Sequence, residues 1–99
     1  MEFGIDAIDY YLPKIAIKIS SLAERRNIIP AKLEKGLGLK FMSLPDVNED
    51  TASMAANALL KLIDNNKIDP TTIGRIYMGT ESALDASKPT ATYALAPVY

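Results

Sequence analysis

Residues 76–82 read Ile76-Tyr77-Met78-Gly79-Thr80-Glu81-Ser82, a short apolar run that leads through a glycine to a carboxylate between two hydroxyls. Such a run is typical of a buried strand, and in open α/β sheets ligands gather beyond the carboxyl ends of the strands. The pattern therefore predicts that Glu81 stands at a strand end, where it is a candidate for acid/base chemistry. A solvated loop glutamate fits the same spacing, so both interpretations stand at this point.

The strand-like segments of the chain lie at its two ends. Alternating apolar side chains predict strands over residues 3–12 and 73–78. Pro13 ends the first of these, and residues 15–19 have the alternation of a short edge segment. Helical segments separate the strand-like ones, and this alternation predicts an α/β fold class.

Four helices are expected between and after the strands. Ser21-Leu22-Ala23-Glu24 has capping-box spacing and predicts a helix that begins at Ser21. Residues 30–35 follow with a proline at the first helical position. Asn48 is the expected cap of a longer helix, whose apolar stripe has helical spacing and continues to residue 63. Residues 89–95 are expected to form the last helix.

Composition excludes several classes of protein and of site. The chain has 99 residues, of which 48% are hydrophobic and 23% charged, so it is expected to fold as one domain at most. A net charge of -1 gives no general attraction to nucleic acid or to an anionic membrane. The absence of Cys and His excludes disulfides, thiolate metal sites and imidazole bases, so no metal site is expected. An acidic amino terminus and the lack of a long apolar run predict a cytoplasmic protein.

Several segments occur in the same order in a known family. They are Gly4–Ile8, Leu12-Pro13, Lys32–Gly38, Pro45–Asp50 and Ile73–Asp85. In these segments the chain resembles the amino-terminal part of the 3-hydroxy-3-methylglutaryl-CoA synthase family. The Lys-Gly-Leu-Gly and Gly-Thr-Glu-Ser segments together are more specific than either alone.

The resemblance implies a fold and an activity. Members have the thiolase-like condensing fold, so residues 1–99 are expected to form an incomplete half domain of two to three strands and three to four helices. The family is an acyltransferase family of the mevalonate route to isoprenoids. It condenses acetyl-CoA with acetoacetyl-CoA to 3-hydroxy-3-methylglutaryl-CoA, and it needs these acyl-CoA substrates but no cofactor.

The resemblance also implies site residues. Glu81 matches the glutamate that serves the family as general acid/base. Ile29, Pro30 and Lys32 fall where the family binds acyl-CoA, and Lys32 could meet a CoA phosphate or a pantetheine oxygen. Relatives often carry an acidic and a small residue in place of Ile29 and Pro30, whereas Lys32 fits. A plain surface lysine remains the alternative for Lys32. Thr80 and Ser82 are candidates to support Glu81 through hydroxyl hydrogen bonds, and turn capping is the favoured role for both.

The family's acyl-accepting cysteine lies on a later strand, so residues 1–99 are expected to lack synthase activity by themselves. Pro97 interrupts the last helix, and we expect a truncated or frame-altered gene product or an expressed fragment. Apolar strands with incomplete cover predict a homo-oligomer. Two alternatives stay open: a non-catalytic α/β interaction or dimerisation module, and a fragment of another thiolase-superfamily condensing enzyme such as a ketoacyl synthase.

Overall fold

The computed structural model describes residues 2–98, which form two compact units. Residues 2–11 and 49–98 belong to the first unit, and residues 12–48 belong to the second. The elements within the described residues are β1 (Ile15–Lys18), α1 (Ile19–Arg25), α2 (Pro30–Glu34), β2 (Phe41–Leu44), α3 (Thr51–Asn66), a 3-10 turn (Pro70–Thr72) and α4 (Thr90–Leu95). Two strands and four α-helices confirm the predicted α/β class and its numbers of strands and helices.

The second unit is built on an antiparallel strand pair. β1 pairs with β2 so that Ile15 lies opposite Leu44 and Lys18 lies opposite Phe41. The predicted edge segment is therefore a strand, whereas β2 was not predicted. Two fully buried side chains of α1, Ile19 and Ala23, form the core of this unit.

Helix α1 begins at Ile19, two residues before the predicted start, so the expected capping box at Ser21 is wrong. β1 passes directly into the helix at Lys18, which has no side-chain capping bond. Instead, the backbone N–H of Ile19 donates to the carbonyl oxygen of Lys40 at 2.9 Å. Because a neighbouring chain segment satisfies this donor, the helix start needs no capping side chain there.

Helix α2 begins at Pro30, as predicted. Gly36 follows the helix, and a side chain at this position would collide with the carbonyl oxygen of Lys32. Gly38 has a φ of +69°, a left-handed conformation that glycine adopts without strain. The two glycines thus allow the chain to turn sharply out of α2 toward β2.

Helix α3 is the main element of the first unit. Its cap is Asp50 and not the predicted Asn48: the Asp50 carboxylate accepts from the Ser53 N–H at 2.7 Å, and the Asp50 N–H donates to the Ser53 hydroxyl at 2.9 Å. This reciprocal pair satisfies two backbone donors at the helix start. The predicted apolar stripe is confirmed as core, since it is buried or half-buried along its length. Helix α4 packs against α3.

The strands predicted over residues 3–12 and 73–78 are wrong for the described structure. Neither segment belongs to a ladder, and residues 3–12 and 74–78 make no backbone–backbone hydrogen bond with other described residues. A strand forms only where a second strand pairs with its N–H and C=O groups. Apolar side chains of these segments are exposed as a result: Phe3, Ile5, Ile8, Tyr10, Leu12 and Tyr77.

Side chains of α3 nevertheless hold the first of these segments within the first unit. The Lys61 ammonium lies 3.3 Å from the Asp9 carboxylate, donates to the Tyr10 carbonyl at 3.2 Å, and sits 4.4 Å from the centre of the Tyr10 ring. The Asn65 amide donates to Asp9 at 2.9 Å. Residues 9–10 are therefore attached to α3 through side chains, in place of a ladder.

Candidate active site

Glu81 lies in the loop that joins the extended segment 73–78 to helix α4. Its side chain is exposed, and its carboxylate has no hydrogen bond or ion pair with any other residue that the structure describes. The carboxylate is therefore available to an incoming molecule. The prediction that Glu81 is the acid/base stays a prediction.

Hydroxyl groups fix the backbone of the residue that follows Glu81. The Ser82 N–H donates to the Thr80 hydroxyl at 3.0 Å, which closes a short turn across Glu81. The Thr51 hydroxyl, at the first residue of α3, donates to the Ser82 carbonyl at 2.9 Å. Both backbone polar groups of Ser82 are thus engaged. Thr80 has the turn-capping role that the sequence favoured, whereas the Ser82 hydroxyl makes no hydrogen bond with the other residues that the structure describes.

The loop is fixed a second time where it meets α4. Thr90, at the first residue of α4, is only 7% exposed, and its hydroxyl accepts from the Leu84 N–H at 3.2 Å. A buried hydroxyl needs a hydrogen-bond partner, and the loop backbone supplies it. The residues that hold Glu81 therefore come from the starts of two helices that pack on each other.

Asp85 organises the rest of the loop. Its carboxylate accepts from the N–H groups of Ser87 at 2.8 Å and Lys88 at 3.1 Å and from the Tyr93 hydroxyl at 3.1 Å. These bonds lower the pKa of Asp85, the Ser87 bond most, and the bond to Asp85 raises the pKa of Tyr93. The Lys88 ammonium lies 4.7 Å from the centre of the Tyr93 ring. An ionised Asp85 thus ties the loop to α4.

A groove of about 410 Å³ runs beside this loop. Its walls come from the end of the extended segment, the loop and the start of α4, and they include Met78, Thr80, Asp85, Lys88 and Thr90. Glu81 itself does not line the groove. The groove offers apolar contacts together with one carboxylate and one ammonium, which suits an amphipathic ligand.

The three predicted substrate-binding residues lie together at the start of α2, in the second unit. Ile29, Pro30 and Lys32 are all exposed, and the Lys32 N–H donates to the Ile29 carbonyl at 3.0 Å. The Lys32 ammonium forms no ion pair with the described residues. Glu81 belongs to the first unit, so the four predicted residues fall into two groups.

Two further findings concern the described residues as a whole. Within residues 2–98, no cluster of three or more acidic, histidine or cysteine side chains could hold a metal ion. No helix in the same range has both the length and the apolar character needed to cross a membrane.

Sequence reasoning missed Thr51 and Thr90. The available signal was their position, since each follows a residue suited to a helix start, Asp50 and Pro89 respectively. The hydroxyl of a threonine near a helix start is well suited to hydrogen-bond a backbone group. The long-range partner of Thr51, 31 residues away, could not be read from this local pattern.

Comparisons with known proteins agree with the resemblance. The family model "Hydroxymethylglutaryl-coenzyme A synthase N terminal" matches residues 1–96. The hydroxymethylglutaryl-CoA synthase of Haloferax volcanii is 45% identical over 91 residues, which is 91% of this chain and 20% of the relative. That of Methanocaldococcus jannaschii is 39% identical over 89 residues, which is 90% of this chain and 26% of the relative. The chain thus spans about a fifth to a quarter of these curated relatives.

Solved structures give the same result for the fold. MvaS in complex with 3-hydroxy-3-methylglutaryl coenzyme A matches with a TM-score of 0.79 at 39% identity, over 93% of this chain and 22% of that one. An HMG-CoA synthase complexed with CoA matches with a TM-score of 0.65 at 31% identity, over 95% and 24%. These matches confirm a partial thiolase-like half domain. The chain belongs to the hydroxymethylglutaryl-CoA synthase family and corresponds to an amino-terminal portion of that enzyme.

Proposed function

We propose that Glu81 is the general acid/base of a hydroxymethylglutaryl-CoA synthase to which this region contributes. The observation that carries the proposal is a carboxylate without a partner among the described residues, on a loop whose backbone is held on the carboxyl side of Glu81. A base that removes a proton from carbon must be free to accept it and fixed in direction. The Glu81 carboxylate is free, and the backbone that follows it is held in place.

The chemistry assigns two proton transfers to this carboxylate, one from carbon and one to oxygen. As the resemblance implies, an acetyl group is carried as a thioester on a cysteine supplied by another part of the synthase. The carboxylate of Glu81 takes a proton from the acetyl methyl group, and the electron pair of the broken C–H bond forms the enolate. The enolate carbon then attacks the ketone of acetoacetyl-CoA, and a protonated Glu81 can return its proton to the resulting alkoxide.

Ile29, Pro30 and Lys32 are proposed to contact the acyl-CoA substrates. Two of the solved relatives are complexes with CoA-type ligands, which supports this assignment. Lys32 contributes an exposed ammonium, whose charge and donors suit a phosphate oxygen. Ile29 and Pro30 contribute exposed apolar surface beside it, which suits the pantetheine chain.

Other features of the function are proposed from the family. They are a role in the mevalonate pathway, a cytoplasmic location, no cofactor beyond the acyl-CoA substrates, no nucleic-acid or membrane partner, and a homo-oligomeric state. Residues 1–99 contain no cysteine to carry the acetyl group, so we propose that they are inactive by themselves. Release of CoA from acetyl-CoA and acetoacetyl-CoA by the isolated 99-residue chain would contradict this.

A chimeric synthase, in which residues 1–96 replace the matching segment of the Haloferax volcanii enzyme, tests the role of Glu81. We expect turnover in the chimeric synthase and a loss of about 10²- to 10⁴-fold in E81Q, the range of a general acid/base. E24Q, which makes the same change at an exposed position of α1, serves as the control and is expected to stay within about twofold, as a surface substitution should. An inactive chimeric synthase, or an E81Q variant as active as E24Q, would overturn the proposal.

A second function is favoured by the exposed apolar side chains of the first unit. Phe3, Ile5, Ile8 and Tyr77 are each more than 80% exposed, which is unusual for large apolar residues of a monomer. The chain could therefore act as a dimerisation module. Light scattering of the 99-residue chain should then give the mass of a dimer or larger oligomer, and a monomer at all concentrations would reject this function.

A further inference from the structure

The loop that carries Glu81 is attached to helix starts and not to a sheet. Residues 74–78, which precede the loop, have no backbone hydrogen bonds with other described residues. The Ser82 carbonyl and the Leu84 N–H, one and three residues beyond Glu81, are bound by the hydroxyls of Thr51 and Thr90. Within the described residues, the direction of the Glu81 backbone therefore depends on these two hydroxyls and on the local turn at Thr80.

Both threonines belong to well-anchored helix starts. Thr51 is the first residue of α3, which the Asp50–Ser53 capping box fixes at its start. Thr90 is the first residue of α4, is 7% exposed, and packs within the first unit. Since α3 and α4 contact each other, the two hydroxyls are held at a set separation. A hydrogen bond from a rigid element transmits that rigidity to the loop.

We propose that Thr51 and Thr90 are positioning residues for Glu81. This inference rests on the proposed function, because it gives the two threonines a role in the proton transfer that Glu81 performs. Neither hydroxyl is hydrogen-bonded to the Glu81 carboxylate. Each acts through the backbone, Thr51 through Ser82 and Thr90 through Leu84, to keep the carboxylate aimed at one point. Thr51 has the more direct effect, because its partner is in the residue next to Glu81.

The chemical reason is the geometry of proton removal from carbon. The carboxylate must come within hydrogen-bond distance of a weakly acidic methyl group and stay aligned with the C–H bond. A loop that samples several conformations reduces the fraction of time spent in this geometry, and so it lowers kcat without a comparable effect on substrate affinity. Without the Thr51 hydroxyl the Ser82 carbonyl loses its hydrogen bond, and we expect the loop to become more mobile and kcat to fall.

The first experiment measures the loop in the full 99-residue chain. In T51V a methyl group replaces the hydroxyl with little change of shape, and T51S keeps the hydroxyl. We expect the ¹⁵N order parameters of Glu81 and Ser82 to fall in T51V from about 0.85, typical of rigid backbone, to below about 0.6, and to recover in T51S. T92V is the matched control, because Thr92 lies on α4, is exposed and makes no side-chain hydrogen bond among the described residues. Unchanged order parameters in both T51V and T90V would overturn the inference.

The second experiment measures kcat and KM in the chimeric synthase. We expect T51V to lower kcat about 10-fold and T90V about 3-fold, with KM within about twofold, since one hydrogen bond is at stake in each. T51S should restore kcat, and T92V should match the unsubstituted protein. Melting temperatures measured in parallel separate this effect from unfolding.

The outcomes distinguish the inference from the proposed function. If E81Q abolishes turnover while T51V and T90V leave kcat unchanged, Glu81 is the base and the positioning role is wrong. If E81Q keeps full turnover, the proposed function is wrong, whatever the threonine variants do. A fall in kcat of T51V that T51S does not reverse points to packing of the side chain and also overturns the positioning role.

Discussion

Removal of the Asp50 cap should destabilise the chain and loosen the attachment of the Glu81 loop. In D50A the Ser53 N–H loses its acceptor at 2.7 Å, and the reciprocal bond from the Asp50 N–H to the Ser53 hydroxyl loses its companion. Replacement of an Asp cap by Ala costs about 1 kcal/mol, within a range of about 0.5–2 kcal/mol. In a domain of this size, 1 kcal/mol lowers the melting temperature by about 4–8 °C.

The assay is thermal unfolding of the 99-residue chain followed by circular dichroism at the helix band, with urea unfolding as a second measure. D50N keeps a side-chain acceptor at the cap and should stay within about 2 °C of the unsubstituted chain, since Asn and Asp cap about equally well. D64A changes the same residue type at an exposed position near the end of α3 and should not lower the melting temperature, because Ala favours helix. Equal melting temperatures for D50A and D64A would refute the reasoning.

The remaining predictions concern pH and core packing. The pKa of Asp85 lies below the ordinary value of 3.8, chiefly because its carboxylate accepts a hydrogen bond from the Ser87 N–H. The pKa of Asp9 is lowered in the same way, chiefly by the hydrogen bond from the Tyr10 N–H. Their contribution to the free energy of unfolding is therefore fully present above about pH 5 and is lost as the pH falls through 3.8 and then through the folded pKa values. Urea titrations between pH 7 and 2.5 should show this loss, and a smaller one in D85N; equal losses would contradict it. I63A truncates a side chain of α3 that is only 8% exposed, and it should lower the free energy of unfolding, measured in urea, by about 2–5 kcal/mol. V47A, at a position that is 94% exposed, should lower it by less than about 0.5 kcal/mol. Equal losses in the two variants would contradict this prediction.

The helices could be predicted from sequence because their signals are local. The apolar stripe of α3, the proline that opens α2 and the proline before α4 each lie within a few residues of the element they specify. Errors arose where a distant group decided the outcome. Helix α1 starts at Ile19 because the Lys40 carbonyl, 21 residues away, receives its first N–H. No pattern around Ser21 contains that information.

The strands could not be predicted in the same way, because a ladder needs a partner. Residues 73–78 have the apolar composition of a buried strand, and their side chains are partly exposed in the described structure for lack of a neighbouring edge. The composition of a segment indicates whether it is suited to a buried strand, whereas strand pairing also requires a second strand beside it. Glu81 could be found from its sequence motif alone. The role of Thr51 could not, because its hydrogen-bond partner, Ser82, is distant in sequence and is seen only in the structure.

In this chain the backbone beside Glu81 is held although residues 74–78 are unpaired, and this matters for the proposed role of Glu81. Its backbone is held from the carboxyl side, through Ser82 and Leu84, by helices that are formed in these 99 residues. In relatives of which this chain spans only 20–26%, further chain can lie beside residues 74–78 and fix Met78 and Gly79 from the other side. A base held from both sides has less freedom than one held from either side. The hydroxyls of Thr51 and Thr90 should therefore matter most when residues 74–78 are unpaired, and the fall in order parameters in T51V should be larger in the 99-residue chain than in the chimeric synthase.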